Sequence, residues 1–196
     1  MNRLVTLLAV LCCMFTASIA QAQTAPKKKN MKSIVIYFSR SGNNYVNGSI
    51  VNLPMGNTKV LAQKIQSETG CDVFEIVPQN AYPADYMKCT EVAQQEINRN
   101  AYPAYVGEVD LSAYTTIYLG YPIWWGTFPR CVNTFIKNHD GLKGKTVLPF
   151  STHEGSGLGT SVSDLKKLCP QATVKKGIAV KGSTVKTASV SAIINQ

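Results

Sequence analysis

The feature that most constrains the fold is an apolar run that ends in a short polar turn. Residues 33–38 read Ser-Ile-Val-Ile-Tyr-Phe, and two serines, an arginine and a glycine follow within 39–42. A continuous run of β-branched and aromatic residues is typical of a strand buried in a parallel sheet. Hydroxyls and the backbone N–H groups of a glycine-bearing turn are donors that bind phosphate. The sequence therefore predicts a phosphate-binding turn directly after the first strand.

A helix pattern follows this turn, but only after an interruption. Gly56-Asn57-Thr58 precedes apolar residues at helical spacing across 59–68. The positive end of this helix is the second expected component of the phosphate site. Residues 43–55 do not fit the alternation of strands and helices, and Asn47-Gly48 within them favours a tight β-turn. We therefore expect an inserted hairpin between the two halves of the phosphate site.

The rest of the chain alternates between strand and helix patterns. Further strands are predicted at 72–77, 115–121, 145–150 and 173–180, and helices at 86–100, 130–137, 160–168 and 184–194. Five apolar strands separated by helices predict a five-stranded parallel sheet with helices on both faces. The expected fold class is α/β, a three-layer α/β/α sandwich.

The N-terminus predicts export of the protein. Residues 1–22 combine an arginine at position 3, an apolar stretch at 4–15 and an Ala-Gln-Ala sequence at 20–22. These are the parts of a cleavable signal peptide, and the apolar stretch is shorter than a membrane span. Residues 23–32 are expected to form a flexible basic lead-in, and residues 33–196 the folded domain. The expected location is the periplasm or the outside of the cell.

Charge and cysteine content narrow the function classes. The chain carries 20 Lys and Arg against 11 Asp and Glu, a net charge of +9. The lysines are dispersed and no recognition motif accompanies them, which favours a cationic surface over nucleic-acid binding. No second apolar stretch is long enough to cross a bilayer. The cysteines beyond the predicted signal form no C-x-x-C pair and the chain has two histidines, which argues against a structural zinc site. Export permits disulfides, but the cysteines fall at element ends and on amphipathic faces, which favours free thiols: Cys71, Cys89, Cys131 and Cys169.

Two later loops have compositions suited to binding a flat ring. Residues 120–126 read Gly-Tyr-Pro-Ile-Trp-Trp-Gly after the third strand, and residues 151–157 read Ser-Thr-His-Glu-Gly-Ser-Gly after the fourth. Ligands in open α/β sheets bind at the carboxyl ends of the strands, where these loops and the phosphate turn converge. Tryptophan offers a stacking surface, and glycine lets backbone N–H groups approach a polar ring edge. The alternative is that one tryptophan is buried under the following helix.

Three separated motifs carry a resemblance to a known family. They are Tyr37-Phe-Ser-Arg-Ser-Gly42 with Gly56-Asn-Thr58, Tyr121-Pro-Ile-Trp-Trp-Gly126, and Phe150-Ser-Thr-His-Glu-Gly-Ser-Gly157. In this order they resemble the flavodoxin-like fold family, specifically its short-chain bacterial branch, from residue 33 to the C-terminus. The resemblance implies strand order 2-1-3-4-5 and FMN as cofactor.

The same resemblance implies which residues bind FMN. The phosphate would be bound by Ser39, Arg40, Ser41, Asn57 and Thr58. The first loop beside the flavin ring would be Pro122, Ile123, Trp124, Trp125 and Gly126. The second would be Thr152, His153, Glu154, Gly155, Ser156 and Gly157. His153 and Glu154 also suggest general acid–base catalysis, but we favour backbone contacts to the ring, because adjacency in sequence does not give opposed geometry.

The expected function is that of an exported FMN-binding protein that transfers electrons or reduces a small acceptor through the flavin. Two alternatives remain open: a non-catalytic electron-carrier flavodoxin, and a degenerate scaffold that no longer binds flavin. An FMN-dependent oxidoreductase and a carrier differ in whether a substrate pocket adjoins the ring. The expected partners are FMN, an electron donor and an electron acceptor, the last two of unspecified chemistry. The chain departs from the acidic, cytoplasmic carriers of the family in its basic charge, its predicted signal and its interrupted phosphate turn.

Overall fold

The computed structural model of the protein describes residues 32–196, so the predicted signal peptide and nearly all of the predicted lead-in lie outside the described residues. Short 3₁₀ turns at Asp140–Leu142 and Gly182–Thr184 accompany the main elements. These are, in chain order, β1 (Lys32–Tyr37), β2 (Gly42–Val46), β3 (Ser49–Leu53), α1 (Asn57–Thr69), β4 (Asp72–Glu75), β5 (Val77–Pro78), α2 (Tyr86–Asn98), β6 (Tyr105–Val106), β7 (Tyr114–Pro122), α3 (Arg130–Asn138), β8 (Thr146–His153), α4 (Ser161–Leu168), β9 (Thr173–Val174), β10 (Ile178–Lys181) and α5 (Ser191–Ile194).

The central sheet is parallel and confirms the predicted fold class. Its strands lie in the order β4-β1-β7-β8-β10, with β9 beside the beginning of β8. This is the 2-1-3-4-5 order, because β9 and β10 together occupy the fifth position. The prediction of a single strand at 173–180 is wrong, because the structure divides this segment into β9 and β10. Val147 pairs with Val174 and Phe150 with Ile178, so the fifth strand holds one extra residue, and a bulge containing Gly177 divides it.

Helices cover both faces of the sheet, which gives the three predicted layers. Alternate side chains of β1 enter different cores, because successive residues of a strand point to opposite faces. Ile34 and Ile36 pack in the core that includes α3 and α4 residues, whereas Val35 and Tyr37 pack in the core of α1 and the C-terminal segment. All four side chains are at most 3% exposed. The sheet is therefore buried on both sides, as its continuous apolar run predicts.

Two predicted elements differ from the structure. Only Ser191–Ile194 of the predicted helix at 184–194 is α-helical. Ser and Thr side chains bond the local backbone there, as when the Thr187 hydroxyl donates to the Thr184 carbonyl, and such bonds compete with helix formation. Lys64 Nζ also donates to the Lys186 and Ala188 carbonyls, at 2.7 and 2.9 Å. The predicted strand at 72–77 ends at Glu75, and β5 pairs instead with β6.

The segment between the first turn and α1 is an antiparallel hairpin, called the hairpin below (residues 42–53). Gly42 pairs with Leu53, and Asn47 and Gly48 form the turn with φ values of 47° and 88°. Two positive φ values are what a two-residue hairpin turn requires. Because Gly42 and Leu53 are paired, the hairpin returns the chain to the place where it left the core fold.

The four cysteines of residues 32–196 are buried free thiols. Burial raises the pKa of Cys131 to about 12 and that of Cys169 to about 11. Neutral thiols in such surroundings pack as small apolar side chains. Within the same described range, no helix has the length and apolar character needed to span a membrane.

Candidate functional site

A cavity of about 420 Å³ lies at the carboxyl ends of β1, β7 and β8. This volume is within the usual range for small-molecule and cofactor sites. The cavity brings together most of the predicted site residues, and it adds three from the hairpin and α2. Its lining consists of Ser39, Arg40, Asn44, Tyr45, Asn57, Thr58, Tyr86, Pro122, Ile123, Trp124, Thr152, His153, Glu154, Gly155 and Ser156. Four predicted residues lie outside this lining: Ser41, Trp125, Gly126 and Gly157.

The phosphate turn (residues 39–41 and 56–58) is closed by a glycine despite the insertion. A Cβ built on Gly56 would overlap the Ser39 Oγ and the Arg40 carbonyl oxygen. Only glycine allows this approach, because every other residue carries that Cβ. The chain thus leaves the phosphate turn to form the hairpin and returns to the turn at the same place, so the two halves of the phosphate turn are in contact.

The hydroxyls of the phosphate turn are held by the protein itself. Ser39 Oγ accepts a hydrogen bond from the Lys59 N–H at 3.1 Å and so caps the beginning of α1. The Thr58 hydroxyl is buried and lies 2.8 Å from the Thr152 hydroxyl. A hydroxyl that accepts one hydrogen bond can still donate its own proton. Ser39 therefore keeps a donor beside the N-terminus of α1, where the helix dipole favours an anion.

Arg40 has a different environment from the serine beside it. Its guanidinium donates to the backbone carbonyls of Asn43, Pro83 (2.7 Å) and Ala84 (2.8 Å). The side chain thereby ties the hairpin to the segment before α2. Its role as a phosphate ligand stays a prediction.

Ser41 lies on the other side of the phosphate turn. It lines a smaller cavity of about 160 Å³ together with Lys59 and Glu75, whose side chains form an ion pair at 2.7 Å. Ser39 also lines this smaller cavity, as the sequence motif predicted, but of the two serines only Ser39 lines the large cavity as well.

The two tryptophans are placed differently. Trp124 is half-buried, lines the cavity and packs edge-on against Phe38 and Tyr82, with ring centroids 5.3 and 4.9 Å away. Trp125 is 57% exposed, and its Nε1 donates to the Thr90 carbonyl at 2.9 Å. Of the two indoles, that of Trp124 is therefore the one available to a ring in the cavity.

The ring loops (residues 122–126 and 152–157) are tied together by backbone contacts. The Ile123 N–H donates to the Thr152 carbonyl at 2.9 Å. The Gly126 carbonyl accepts from the Thr160 N–H at 2.7 Å, and the Gly157 carbonyl accepts from the Ser151 hydroxyl at 3.1 Å. Gly126 and Gly157 do not line the cavity, but the hydrogen bonds to their carbonyls hold the ring loops in position.

His153 is a neutral loop residue in this geometry. Its Nδ1 accepts a hydrogen bond from the Gly155 N–H at 2.9 Å, which leaves the proton on Nε2. Burial lowers the pKa of the ring, Glu154 opposes this by raising it, and Lys181 lowers it further. This environment favours the neutral imidazole at pH 7, which agrees with a positioning role in the loop better than with a charged acid catalyst.

Glu154 connects the second ring loop to the hairpin. Its Oε2 accepts a hydrogen bond from the Asn47 N–H at 3.2 Å. Its Oε1 is buried and has no hydrogen-bond partner among the described residues. This oxygen lies beside Gly182, where an added Cβ would stand 2.3 Å from it, so it is covered by the protein itself.

Sequence reasoning missed Asn44, Tyr45 and Tyr86. All three line the cavity, because the hairpin lies along it and Asp85 caps α2 so that Tyr86 begins the helix. The sequence did indicate Tyr45, because it is an aromatic residue only a few positions after the phosphate turn. The interpretation of 43–55 as an insertion separate from the site left this residue out of the prediction.

The residues present fit a flavin mononucleotide. The N-terminus of α1 and a hydroxyl donor can bind the phosphate, and Trp124 can pack against the planar ring. The second ring loop can contact the polar edge of the ring, because Gly155 has φ 141° and open space around it. In a doubly wound sheet of order 2-1-3-4-5, the carboxyl ends of β1 and β7 are the switch point at which α/β proteins bind their ligands, and the cavity lies there.

Comparison with known proteins identifies the family. The flavodoxin family model matches residues 32–196. The chain therefore belongs to the flavodoxin family, which confirms the resemblance seen in the sequence. A search among curated proteins finds no match.

Solved structures of similar proteins agree with this assignment. A protein from Bacteroides eggerthii assigned as a flavoprotein is 32% identical, with 80% of this chain and 94% of that chain covered and a TM-score of 0.64. One from Bacteroides uniformis, also assigned as a flavoprotein, is 30% identical, with coverages of 80% and 96% and a TM-score of 0.61. A flavoprotein from Lactobacillus acidophilus, crystallised in complex with FMN, shares the fold at 24% identity, with coverages of 79% and 96% and a TM-score of 0.59.

Proposed function

We propose that this protein binds FMN in the cavity and transfers electrons through it. The observation that carries the proposal is the convergence of the phosphate turn and both ring loops on one cavity. Family membership supports FMN as the cofactor, and the Lactobacillus acidophilus relative is a complex with FMN. The closed contact between Gly56 and the Ser39–Arg40 backbone supports a phosphate at the beginning of α1.

Bound FMN supplies the redox chemistry, and the residues of this chain bind and orient it. The proposed donors for the phosphate are the backbone N–H groups at the N-terminus of α1, the Ser39 hydroxyl and the Thr58 hydroxyl, which can donate its proton when the Thr152 hydroxyl donates to it. Trp124 supplies an apolar face for the ring. The neutral His153 orders the second ring loop through the Gly155 N–H, and the hydrogen bond from the Ile123 N–H to the Thr152 carbonyl joins the two ring loops.

Among the three function classes, a flavin-free scaffold is the one that the cavity geometry least supports. The hairpin lies along the cavity without filling it, and a volume of about 420 Å³ remains. The oxidoreductase and carrier functions both fit this geometry.

Titration with FMN tests the proposed function. The folded protein should bind FMN with micromolar or tighter affinity and riboflavin more weakly, as measured by flavin fluorescence and calorimetry. A folded protein that binds neither flavin contradicts the proposal. To separate the two classes, the bound flavin is reduced with a stoichiometric amount of dithionite, which is consumed before benzoquinone is added, and reoxidation of the flavin by the quinone is followed by stopped-flow absorbance. A reoxidation rate that saturates with the quinone concentration indicates an oxidoreductase, and a linear dependence indicates a carrier.

We also propose that the protein is exported, since residues 1–22 have the parts of a signal peptide. The test is mass spectrometry of the protein from the periplasmic or secreted fraction of the producing cells. The expected N-terminus is Gln23. Recovery of the chain with Met1 from the cytoplasm alone contradicts export, and it leaves FMN binding untouched.

A further inference from the structure

The hairpin runs along the cavity from one binding element to another. At its base, Gly42 pairs with Leu53 directly after the phosphate turn. At its tip, the Asn47 N–H donates to Glu154 of the second ring loop. Both elements line the cavity, so β2 between them passes along it, and Asn44 and Tyr45 belong to the lining.

The position of β2 is fixed by hydrogen bonds as well as by strand pairing. Asn44 Nδ2 donates to the Arg40 and Gly42 carbonyls at 3.2 and 2.9 Å. The Arg40 guanidinium holds the Asn43 carbonyl on one side and the Pro83 and Ala84 carbonyls on the other. The hairpin is thus anchored at its base and its tip and against the beginning of α2.

Tyr45 presents an exposed and oriented ring. Its side chain is 43% exposed, and its ring stacks on Tyr86 with centroids 6.3 Å apart and planes 28° apart. Ile50 is its direct cross-strand partner, is 49% exposed, and does not line the cavity. A tyrosine this exposed contributes little to the core, so its stacked orientation calls for another explanation.

Only one of the two ring loops contributes an aromatic side chain to the cavity lining. Trp124 comes from the first ring loop, whereas residues 152–157 contain no phenylalanine, tyrosine or tryptophan. The other aromatic residues that line the cavity are Tyr45 and Tyr86, held on the hairpin side. Stacked aromatic pairs add attraction beyond the burial of their area.

The geometry points to Tyr45 as the second aromatic wall of the flavin-ring site, supported from behind by Tyr86. The inserted hairpin is therefore part of the cofactor site, and it supplies an aromatic side chain of the kind that the second ring loop lacks. This inference rests on the proposed function, because it concerns the ring of the same FMN. The ligand group that it assigns to Tyr45 is the ring shared by FMN and riboflavin, and not the phosphate.

The test compares Tyr45→Ser, Tyr45→Phe and the matched control Ile50→Ser, which changes the opposite strand outside the cavity. Dissociation constants for FMN and riboflavin are measured by fluorescence titration, and the emission of the bound flavin is recorded. Thermal melting of each apoprotein checks the fold. We expect Tyr45→Ser to weaken both flavins by the same factor, about fivefold to tenfold, and to raise the bound-flavin emission. Tyr45→Phe should keep both affinities, and Ile50→Ser should change neither.

Three outcomes overturn the inference. The first is unchanged affinity for both flavins in a folded Tyr45→Ser variant. The second is weakened binding of FMN alone, which places Tyr45 beside the phosphate. The third is an equal effect of Ile50→Ser, which makes the hairpin a structural element without a specific ring contact. In contrast, a wild-type protein that binds neither flavin contradicts the proposed function itself, so the two failures are distinct.

Discussion

The phosphate turn and the ring loops lie beside the same cavity but are constructed differently. In the phosphate turn, the Ser39 and Thr58 hydroxyls already bond to Lys59 N–H and Thr152, and Gly56 packs against the turn backbone. In the ring loops, Trp124 is packed, whereas Gly155 and Ser156 are exposed to solvent. These bonds and contacts indicate that the phosphate half of the cavity is rigid before a ligand binds. The ring half combines one fixed aromatic face with a backbone that can adjust.

The largest effect is expected at Gly56, where rigidity depends on the absence of a side chain. Gly56→Ala places a Cβ on the Ser39 Oγ and the Arg40 carbonyl oxygen, so the turn must open. We expect the opened turn to bind FMN roughly a hundredfold more weakly, and we expect the overpacking itself to lower the free energy of unfolding by about 1–3 kcal/mol. Calorimetry measures the FMN affinity, with Gln63→Ala as a control, because Gln63 is an exposed residue of α1 outside the cavity lining. Tight FMN binding by Gly56→Ala contradicts a closed turn.

Removal of the turn hydroxyls should distinguish the two halves of the cavity. Ser39→Ala and Thr58→Ala each remove one donor to a charged phosphate, so FMN affinity should fall about tenfold or more. Riboflavin affinity should hardly change, since riboflavin has no phosphate. Ser39→Ala also removes the cap on Lys59 N–H and should lower the free energy of unfolding by about 1 kcal/mol. If FMN affinity stays intact in both variants, the phosphate lies elsewhere.

Substitution of the two tryptophans tests whether Trp124 provides the fixed aromatic contact to the flavin ring. Trp124→Ala should weaken FMN and riboflavin equally, about fivefold, while Trp125→Ala should have little effect. Because the chain has two tryptophans, each Phe variant leaves a single reporter. FMN should quench the emission of Trp125→Phe strongly and that of Trp124→Phe weakly. The reverse pattern places the ring on the exposed indole, and comparison of the melting temperatures detects any loss of folding.

The smallest effect is expected from pH, through the adjustable loop. Acid protonates His153 and removes the Nδ1 acceptor of Gly155 N–H. The folded state holds the pKa of this ring below its usual value near 6.5, so the unfolded chain takes up the proton first as pH falls. The contribution to stability is therefore complete above about pH 6.5 and is lost as pH falls towards the folded-state pKa.

Riboflavin is the suitable probe for this effect, because the phosphate of FMN itself titrates near pH 6. We expect its affinity to fall a few-fold between pH 7.5 and pH 5, and to stay nearly constant in His153→Gln. A pH dependence that persists in the glutamine variant assigns the effect to another group.

Several features followed from local sequence patterns. The apolar run at 33–38 predicted a strand buried on both faces, and Ile34 and Val35 do enter different cores. The Asn47-Gly48 pair has the two positive φ values of a tight hairpin turn. The alternation of strands and helices predicted the layers and the parallel sheet. The helix predicted at 184–194 failed, because Ser and Thr side chains there bond the local backbone instead.

What the sequence determined by itself was most strands and helices of the central fold, the strand ends that carry polar loops, and the family. These depend on periodicity and on turn residues, which act over a few positions of the chain. Tertiary structure alone decided which neighbour faces the cavity: Ser39 or Ser41, and Trp124 or Trp125. It also brought Tyr45 and Tyr86 into the lining, through contacts of Arg40 and Glu154 with distant backbone groups. Such contacts join residues far apart in sequence, so no local pattern records them.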